Sequence, residues 1–460
     1  MRVGQIEKYH SWAKSKNIAK KSVVTSARLD RQLKRKVVKE LALMKEMSVA
    51  EFNLYQKYAE INEILPTLDK SEIKEVKSLL YSAKSYDDVY AIEPEIIFVK
   101  ESFGVPITNI FGEKSIKQIS YDNRLVRHWQ ILRTFVSSIK NEGSLGRAIR
   151  FLVRDKHTQK YIGILCLSSS LATIKCLNDT IGWNLKDEFK IGSRMGHMAN
   201  IQTCIGVGSS SSQFLFGKLL ALLALSDEVS KVWKEVYGET CVEIHTTAID
   251  GSKSLTQYDN LLPYFTNRLG LTAGSTSLKL KNDLYWKVVD WMFKRYPWQY
   301  FRYNIDVNEQ SPSPYIRDKK NRLLVEAYRK LGIKNSEFTS LHRRAVYHSY
   351  LYTNSQEFLL GKITESELVK RFDNSVSALT ERWRYDEFGK SNEPPEYLKV
   401  KYANKPDRLK TVMRVRSGAV GYVKHQQELG HKINTTINDW FEDCGKKSYD
   451  EVKIKYLKEK

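Results

Sequence analysis

Between Gly146 and Thr276 the spacing of apolar and polar positions changes several times, and each change predicts an element. Arg147, Ile149, Phe151 and Val153 alternate with Ala148, Arg150, Leu152 and Arg154, the period of two expected of a half-buried strand. Asp155–Lys160 is a polar turn and Tyr161–Leu167 a return strand, so the pair predicts an antiparallel hairpin. The stretch 177–187 then reads as a loop carrying Asp179, Gly182 and Trp183, and Ile201–Val207 as a continuous apolar strand. A small-residue loop, Gly208 to Gln213, leads into one long helix whose first half is almost wholly apolar and should be buried. Cys241–Ala248 is a further strand, Asp250-Gly251-Ser252 a turn, and Tyr264 and Asn267 a short helical segment before Leu269-Gly270. The expectation is an α/β (α+β) domain with a mixed central sheet and flanking helices.

The flanks carry a different pattern. Leu29, Leu33, Val37, Leu41 and Leu43 recur at roughly helical spacing, with Arg31, Lys34, Arg35, Lys36 and Lys39 on the other faces. Such a helix could track a phosphate backbone or simply present a solvated face. A second helix is expected over 49–65, stopped by Pro66, and a third after Asp69 or Ser71 as cap. An apolar run at Ile96–Lys100 and a helix from Asn123 lead into the core; His128 and Trp129 fit that helix as packing residues. From Trp286 to Tyr303 aromatics interleave with Lys and Arg, which suits stacking on bases but is more simply an aromatic core. Further helices are expected around 319–332 and in the polar tail. The division is a basic helical region 1–95, a core domain 96–280 and a mainly helical region 281–460.

Charge sharpens this picture. With 75 Lys and Arg against 53 Asp and Glu, the formal charge is +22, a field that favours polyanions, nucleic acid first. Double-stranded DNA is the expected partner, with no membrane partner. The five cysteines (166, 176, 204, 241 and 444) show no metal-ligand spacing, so no metal is expected and a reducing compartment is. The start is too polar for a signal-peptide core and no run of 18 apolar residues exists, so the expectation is a soluble cytoplasmic protein, in the host cytoplasm if phage-encoded.

Two places carry candidate chemistry. Glu243, His245 and Thr247 share one face of an otherwise apolar strand, where ionisable groups are costly without purpose; a partly solvated edge strand is the alternative. Val207, Gly208, Ser209, Ser210, Ser211, Ser212 and Gln213 precede a helix, with Gly217 and Lys218 in its opening. Small residues there expose backbone N–H groups to an anion, and the helix dipole adds to the attraction. The same run is also an ordinary capping loop.

The order of these elements resembles the GNAT acyltransferase fold. In that family a loop after the fourth strand cradles the pyrophosphate of coenzyme A. The fifth strand splays away to admit the acyl thioester, and a downstream Tyr protonates the departing thiolate. The resemblance implies Gly208–Gly217 as the loop, Val242–Ala248 as the splayed strand and Tyr264 as the acid. It also implies acyl-CoA (acetyl-CoA-type) as cofactor. The loop departs from the family's pattern: Gln213-Phe-Leu-Phe-Gly217-Lys218 is lengthened and lacks the second glycine.

A closer resemblance is to the Druantia A family of phage-defence systems and, distantly, to Mom-type phage DNA modification enzymes. It rests on Arg150-Phe-Leu-Val, Ile162-Gly-Ile-Leu, Asn178-Asp179-Thr-Ile-Gly182-Trp183, Met198-Ala-Asn-Ile-Gln and Val242-Glu243-Ile-His-Thr. Further matches are Tyr264-Phe-Thr-Asn267, Leu269-Gly270-Leu-Thr-Ala-Gly274, Arg344-Ala-Val-Tyr347 and Asn354-Ser-Gln-Glu357-Phe-Leu. The implied function is a GNAT-like transferase that modifies bases of DNA in anti-restriction or phage–host conflict. Glu243, His245 or Asp250 would activate an exocyclic amine and Tyr264 would act as general acid. Arg147, Arg150, Asp179, Trp183 and Asn267 would contact substrate. Two alternatives stand beside it: a non-catalytic DNA-binding component, favoured by the altered loop, and a protein or small-molecule N-acetyltransferase.

Overall fold

The structure, a computed structural model, describes residues 3–15, 27–46, 68–83, 86–100, 107–108, 114–115, 123–137, 146–170, 174–183, 194–208, 216–248, 256–266, 268–272, 275–278, 280, 282–303, 314–341 and 343–388. The expected helix over 49–65, Ser209–Gln213, Asp250, Asn267, Cys444 and the tail helices lie outside them. The chain forms two compact units, one of 1–52 with 273–343 and one of 53–272 with 344–460. These do not follow the linear division at 95 and 280.

The larger unit is built on a sheet whose strands are β1 (Pro94–Val99), β4 (Ala148–Asp155), β5 (Tyr161–Ser169), β6 (Met198–Gly206), β7 (Glu243–Ala248), β8 (Gly270–Leu271) and β11 (Ala345–Tyr350). Two-residue strands β2 (Ile107–Thr108) and β3 (Lys114–Ser115) pair separately. The sheet order is β1-β4-β5-β6-β7-β11-β8, so the chain turns back to insert β11 between β7 and β8. All pairings are antiparallel except β6 with β7.

The predicted hairpin forms, and its turn is fastened by Asp155, whose Oδ2 accepts from the Thr158 amide at 2.8 Å. Alternation along β4 sends Ile149, Phe151 and Val153 into one apolar layer and Leu152 into another. The first layer contains the helix Phe216–Leu223 and Trp233, Leu379 and Trp383. The opposite face has two covers. Helix Asn123–Val136 lays Trp129 and Leu132 near Leu152 and Ile164, while Leu177, Ile181, Phe358 and Leu359 pack near Met198 and Val346.

Four expectations need correction. Residues 175–181 form a helix, not a loop, ended by Gly182 in the left-handed region (φ +85°). The single long helix is two: the first ends at Leu223, a turn follows at Ala224 and Leu225, and Ser226 caps the second, Asp227–Tyr237, by accepting from the Val229 amide at 3.3 Å. A side-chain cap outcompetes helix continuation there, which apolar periodicity alone does not reveal. The segment around Tyr264 is a series of turns. Finally, β7 is flanked by β6 and β11, so the partly solvated edge-strand alternative falls.

The smaller unit holds helices Val3–Ser15, Ala27–Glu46, Asn282–Arg295, Pro297–Arg302, Pro314–Lys330 and Asn335–Phe338, with β9 (Ser275–Ser277) paired to β10 (Thr339–Leu341). The expected basic helix exists, but its buried residues are Val37, Leu41 and Met44, while Leu29 is exposed. Its aromatics pack on one another: Tyr9 meets Trp298 at 4.8 Å and Phe293 meets Tyr300 at 5.2 Å between ring centroids. Trp291 Nε1 donates to Asp30 at 2.8 Å. The simpler reading, an aromatic core, holds for these side chains.

Candidate active site

Two neighbouring strands place the site's side chains by register. On β7, Glu243 and His245 point to one face by the two-residue period, and His245 stands opposite His348 of β11. On the other side Asn200 of β6 pairs with His245 in parallel register. Glu243 and His245 are fully buried and His348 is 2% exposed. Burying three titratable groups requires partners for each.

Those partners form a chain. His245 Nδ1 donates to Glu243 Oε2 at 2.9 Å, and His348 Nδ1 lies 3.6 Å from Glu243 Oε1. His245 Nε2 faces the Ser170 hydroxyl at 3.4 Å. Burial pushes the Glu243 carboxyl up, but the two imidazoles outweigh it and hold the carboxyl below its usual range. A carboxylate accepting from Nδ1 leaves Nε2 of a neutral ring as the acceptor, aimed at the Ser170 hydroxyl. Next to this chain, Asn200 Nδ2 donates to Ser168 Oγ at 3.2 Å, while Asn200 Oδ1 is buried with no hydrogen-bond partner.

The chain lies where the sheet opens. β6 and β7 pair only over Met198–Asn200 with Glu243–His245, and then part. Beyond that point β6 carbonyls are met by side chains: Thr246 Oγ1 donates to Ile201 O at 3.0 Å and Gln257 Nε2 to Cys204 O at 2.9 Å. At the far end of β6, Val207 is buried and Gly208 adopts φ +88°. A Cβ there would stand 2.2 Å from Tyr81 O, so only glycine allows this approach.

The other expected site residues scatter. Gly217 and Lys218 lie in the opening turn of helix Phe216–Leu223, with Gly217 fully inside the core. Arg147 is committed near the start of β6: Nη1 donates to Gly196 O at 2.8 Å, and the side chain pairs with Glu239 and lies over Tyr237. Gly208 lies beyond the opposite end of that nine-residue strand, about 30 Å along a strand of that length. Arg150 stacks on Trp129 with 4.8 Å to the ring centroid, and its burial lowers its pKa. Trp183 Nε1 donates to Leu359 O at 3.2 Å, so this indole is part of the packing; Asp179 is exposed on helix Lys175–Ile181. Tyr264 packs edge-on against Phe372 at 4.6 Å, beside the layer on the opposite face from Glu243. Its hydroxyl pKa is raised by burial.

Sequence reading missed Ser170 and His348. The signal for His348 was present in Ala345–Tyr350, an alternating run with a histidine on its polar phase. Ser170 closes a run of three serines at the end of β5 and carries no pattern of its own. Among the described residues no group of three His, Cys, Asp or Glu is arranged to hold a metal, and no helix is long and apolar enough to cross a membrane.

Fold and site together define a mixed α/β protein with a buried hydroxyl–imidazole–carboxylate chain at the parting of the one parallel strand pair among the described residues. The family model described as Druantia protein DruA matches residues 113–361, more than half of the sequence, and the chain belongs to that family. Membership points to a component of a Druantia phage-defence system. No curated protein and no solved structure matches the chain.

Proposed function

We propose that the chain is a GNAT-like group-transfer enzyme that modifies bases of DNA in phage–host conflict, with Glu243 and His245 handling the proton of the acceptor amine. One observation carries the reading: β6 and β7, fourth and fifth across the sheet, pair in parallel for three residues and part beside a buried Glu–His pair. A splayed fifth strand is what the GNAT resemblance implies. Tyr264, the general acid that the resemblance implies, lies beside the layer on the opposite face from Glu243 and takes no part with the Glu243–His245 pair. The formal charge of +22 supports DNA as the partner. Asp250, Asn267 and Ser209–Gln213 enter this reading through the resemblance alone.

The fit of a coenzyme A thioester is restricted. Gln257 holds the Cys204 carbonyl, and its Oε1 would stand 2.4 Å from a Cβ on Gly217. An extended thioester arm along β6 and the Gln257 side chain exclude one another. The same observation favours a second reading, a non-catalytic DNA-binding component whose old cofactor cleft the chain has filled.

Mass spectrometry of nucleosides from DNA of cells expressing the full chain or its Glu243→Gln variant tests the proposal. A new nucleoside absent from the variant is the expected result, and its mass names the transferred group. Unmodified DNA, with salt-dependent duplex binding by the purified chain, would instead establish the binding component.

A further inference from the structure

We propose that Ser170 is a nucleophile that carries the transferred group as a covalent ester. The inference rests on the group-transfer reading for its acceptor, but its own evidence is the geometry around the hydroxyl. Three elements meet there by topology: Ser170 directly follows β5, His245 and Glu243 lie on β7, and His348 lies on β11. Their atoms run in one line of contacts: Ser170 Oγ to His245 Nε2 at 3.4 Å, then His245 Nδ1 to Glu243 Oε2 at 2.9 Å. That is the order a nucleophile, its base and the group orienting the base require.

The burial is graded along the line. Glu243 and His245 are fully buried, while Ser170 is 8% exposed, so of these three residues the serine lies nearest to solvent. A structural serine needs no charged chain behind it; a buried carboxylate and two imidazoles are a costly way to satisfy one hydroxyl. His348, at 3.6 Å from the free Glu243 oxygen, acts through Glu243 as a positioning residue. Asn200, opposite His245 in the strand register, holds a buried terminal amide atom without a partner, a polar group in reserve for a bound molecule.

The substrate class follows from the chemistry. An activated acyl ester or thioester approaches Ser170; its Oγ forms a bond to the acyl carbon as the proton passes to His245 Nε2. The carbon–sulfur or carbon–oxygen bond to the leaving group breaks, and the leaving group takes that proton from His245. An acceptor amine then attacks the acyl-serine, loses a proton to His245, and the bond from Oγ to carbon breaks with return of the proton to Oγ. No thioester need stay bound along β6 for the second half, which fits the cleft that Gln257 fills.

The test is labelling of the full chain with a fluorophosphonate probe, read by intact mass and peptide mapping. One adduct at Ser170 is expected, absent from Ser170→Ala, retained in Ser169→Ala and slowed about 100-fold in His245→Asn. Should Ser170→Ala fail to fold, the Ser170→Cys variant keeps the test: iodoacetamide should alkylate the new thiol about tenfold faster than Cys176. No adduct, or one that survives Ser170→Ala, overturns the proposal. A modified nucleoside made at the wild-type level by Ser170→Ala would overturn it while leaving DNA modification standing. An adduct at Ser170 with unmodified DNA would do the reverse.

Discussion

The two halves of the central sheet solve different problems with the same strands. From β1 to β6 every pairing is antiparallel, and apolar layers cover both faces. From β6 to β11 the sheet contains its parallel pair, loses that pairing after three residues, and buries Glu243, His245 and His348. The first half is held by apolar burial, which is non-directional and tolerant of exchange. The second adds to its apolar layers a set of polar contacts that work only if every partner is present. The antiparallel half is therefore a scaffold, and the parting half holds the buried polar chain on which the proposed chemistry rests.

The sharpest way to break that contrast is Glu243→Ala. Removing the carboxylate strands two buried imidazoles, and loss of one partner of a buried pair costs about 3–5 kcal/mol. Glu243→Gln keeps the shape and should cost about 1–3 kcal/mol, as a lost buried hydrogen bond does. Urea denaturation of the full chain measures both. If Glu243→Ala unfolds no more readily than wild type, the polar chain is not what holds β7 in place.

In the antiparallel half the comparable loss comes from volume. Leu220→Ala, at a fully buried position of helix Phe216–Leu223, should cost about 2–5 kcal/mol. Gly163 of β5 lies against the same side chain: an added Cβ would stand 2.3 Å from Leu220 Cδ1. Gly163→Ala alone should cost about 1–3 kcal/mol by overpacking. In the Leu220→Ala background it should cost less, because the clashing methyls are gone. A double-mutant cycle reads this coupling, and additivity would deny the contact.

Acid separates the halves as well. The Glu243 carboxyl titrates below its usual range, so its deprotonated form favours the folded state. Its contribution is complete above the unfolded value, about 4.3, and is lost as pH falls through the lower folded value. The gap between wild type and Glu243→Gln should therefore narrow as acid is added below that point. The cost of Leu220→Ala should not change with pH. Parallel denaturation series at neutral and acid pH measure both.

What could be read from sequence divides along the same line. Hairpin β4–β5, strand β7, β6 from Ile201 onward and the Asn123–Val136 helix all follow from apolar runs, periodicity and turn residues, because the local pattern there matches burial. Glu243 and His245 were also readable, since two ionisable residues on one face of an apolar strand conflict with a plain core. His348 stood in an alternating run, but its place beside Glu243 depends on β11 returning between β7 and β8, a non-local pairing, and Ser170 carried no pattern of its own. Arg147, Arg150 and Trp183 mark the opposite failure: their types suit substrate contacts, yet tertiary packing commits them to Glu239, Trp129 and Leu359.

A smaller effect sharpens the comparison from the scaffold side. The apolar run continues through Leu225, but the helix ends at Leu223, and Ser226 starts the next, Asp227–Tyr237, by capping it through the Val229 amide. Ser226→Ala should cost about 1 kcal/mol, the usual worth of an N-cap. Because Ser226 and Val229 are both fully buried, the orphaned Val229 amide cannot turn to water. Thermal unfolding resolves such a loss, and fluorophosphonate labelling at Ser170 should proceed unchanged in the same variant. A fall in labelling there would mean that scaffold and chemistry are not separable, and that the helix-bearing face of the sheet sets the geometry of the polar chain on the other.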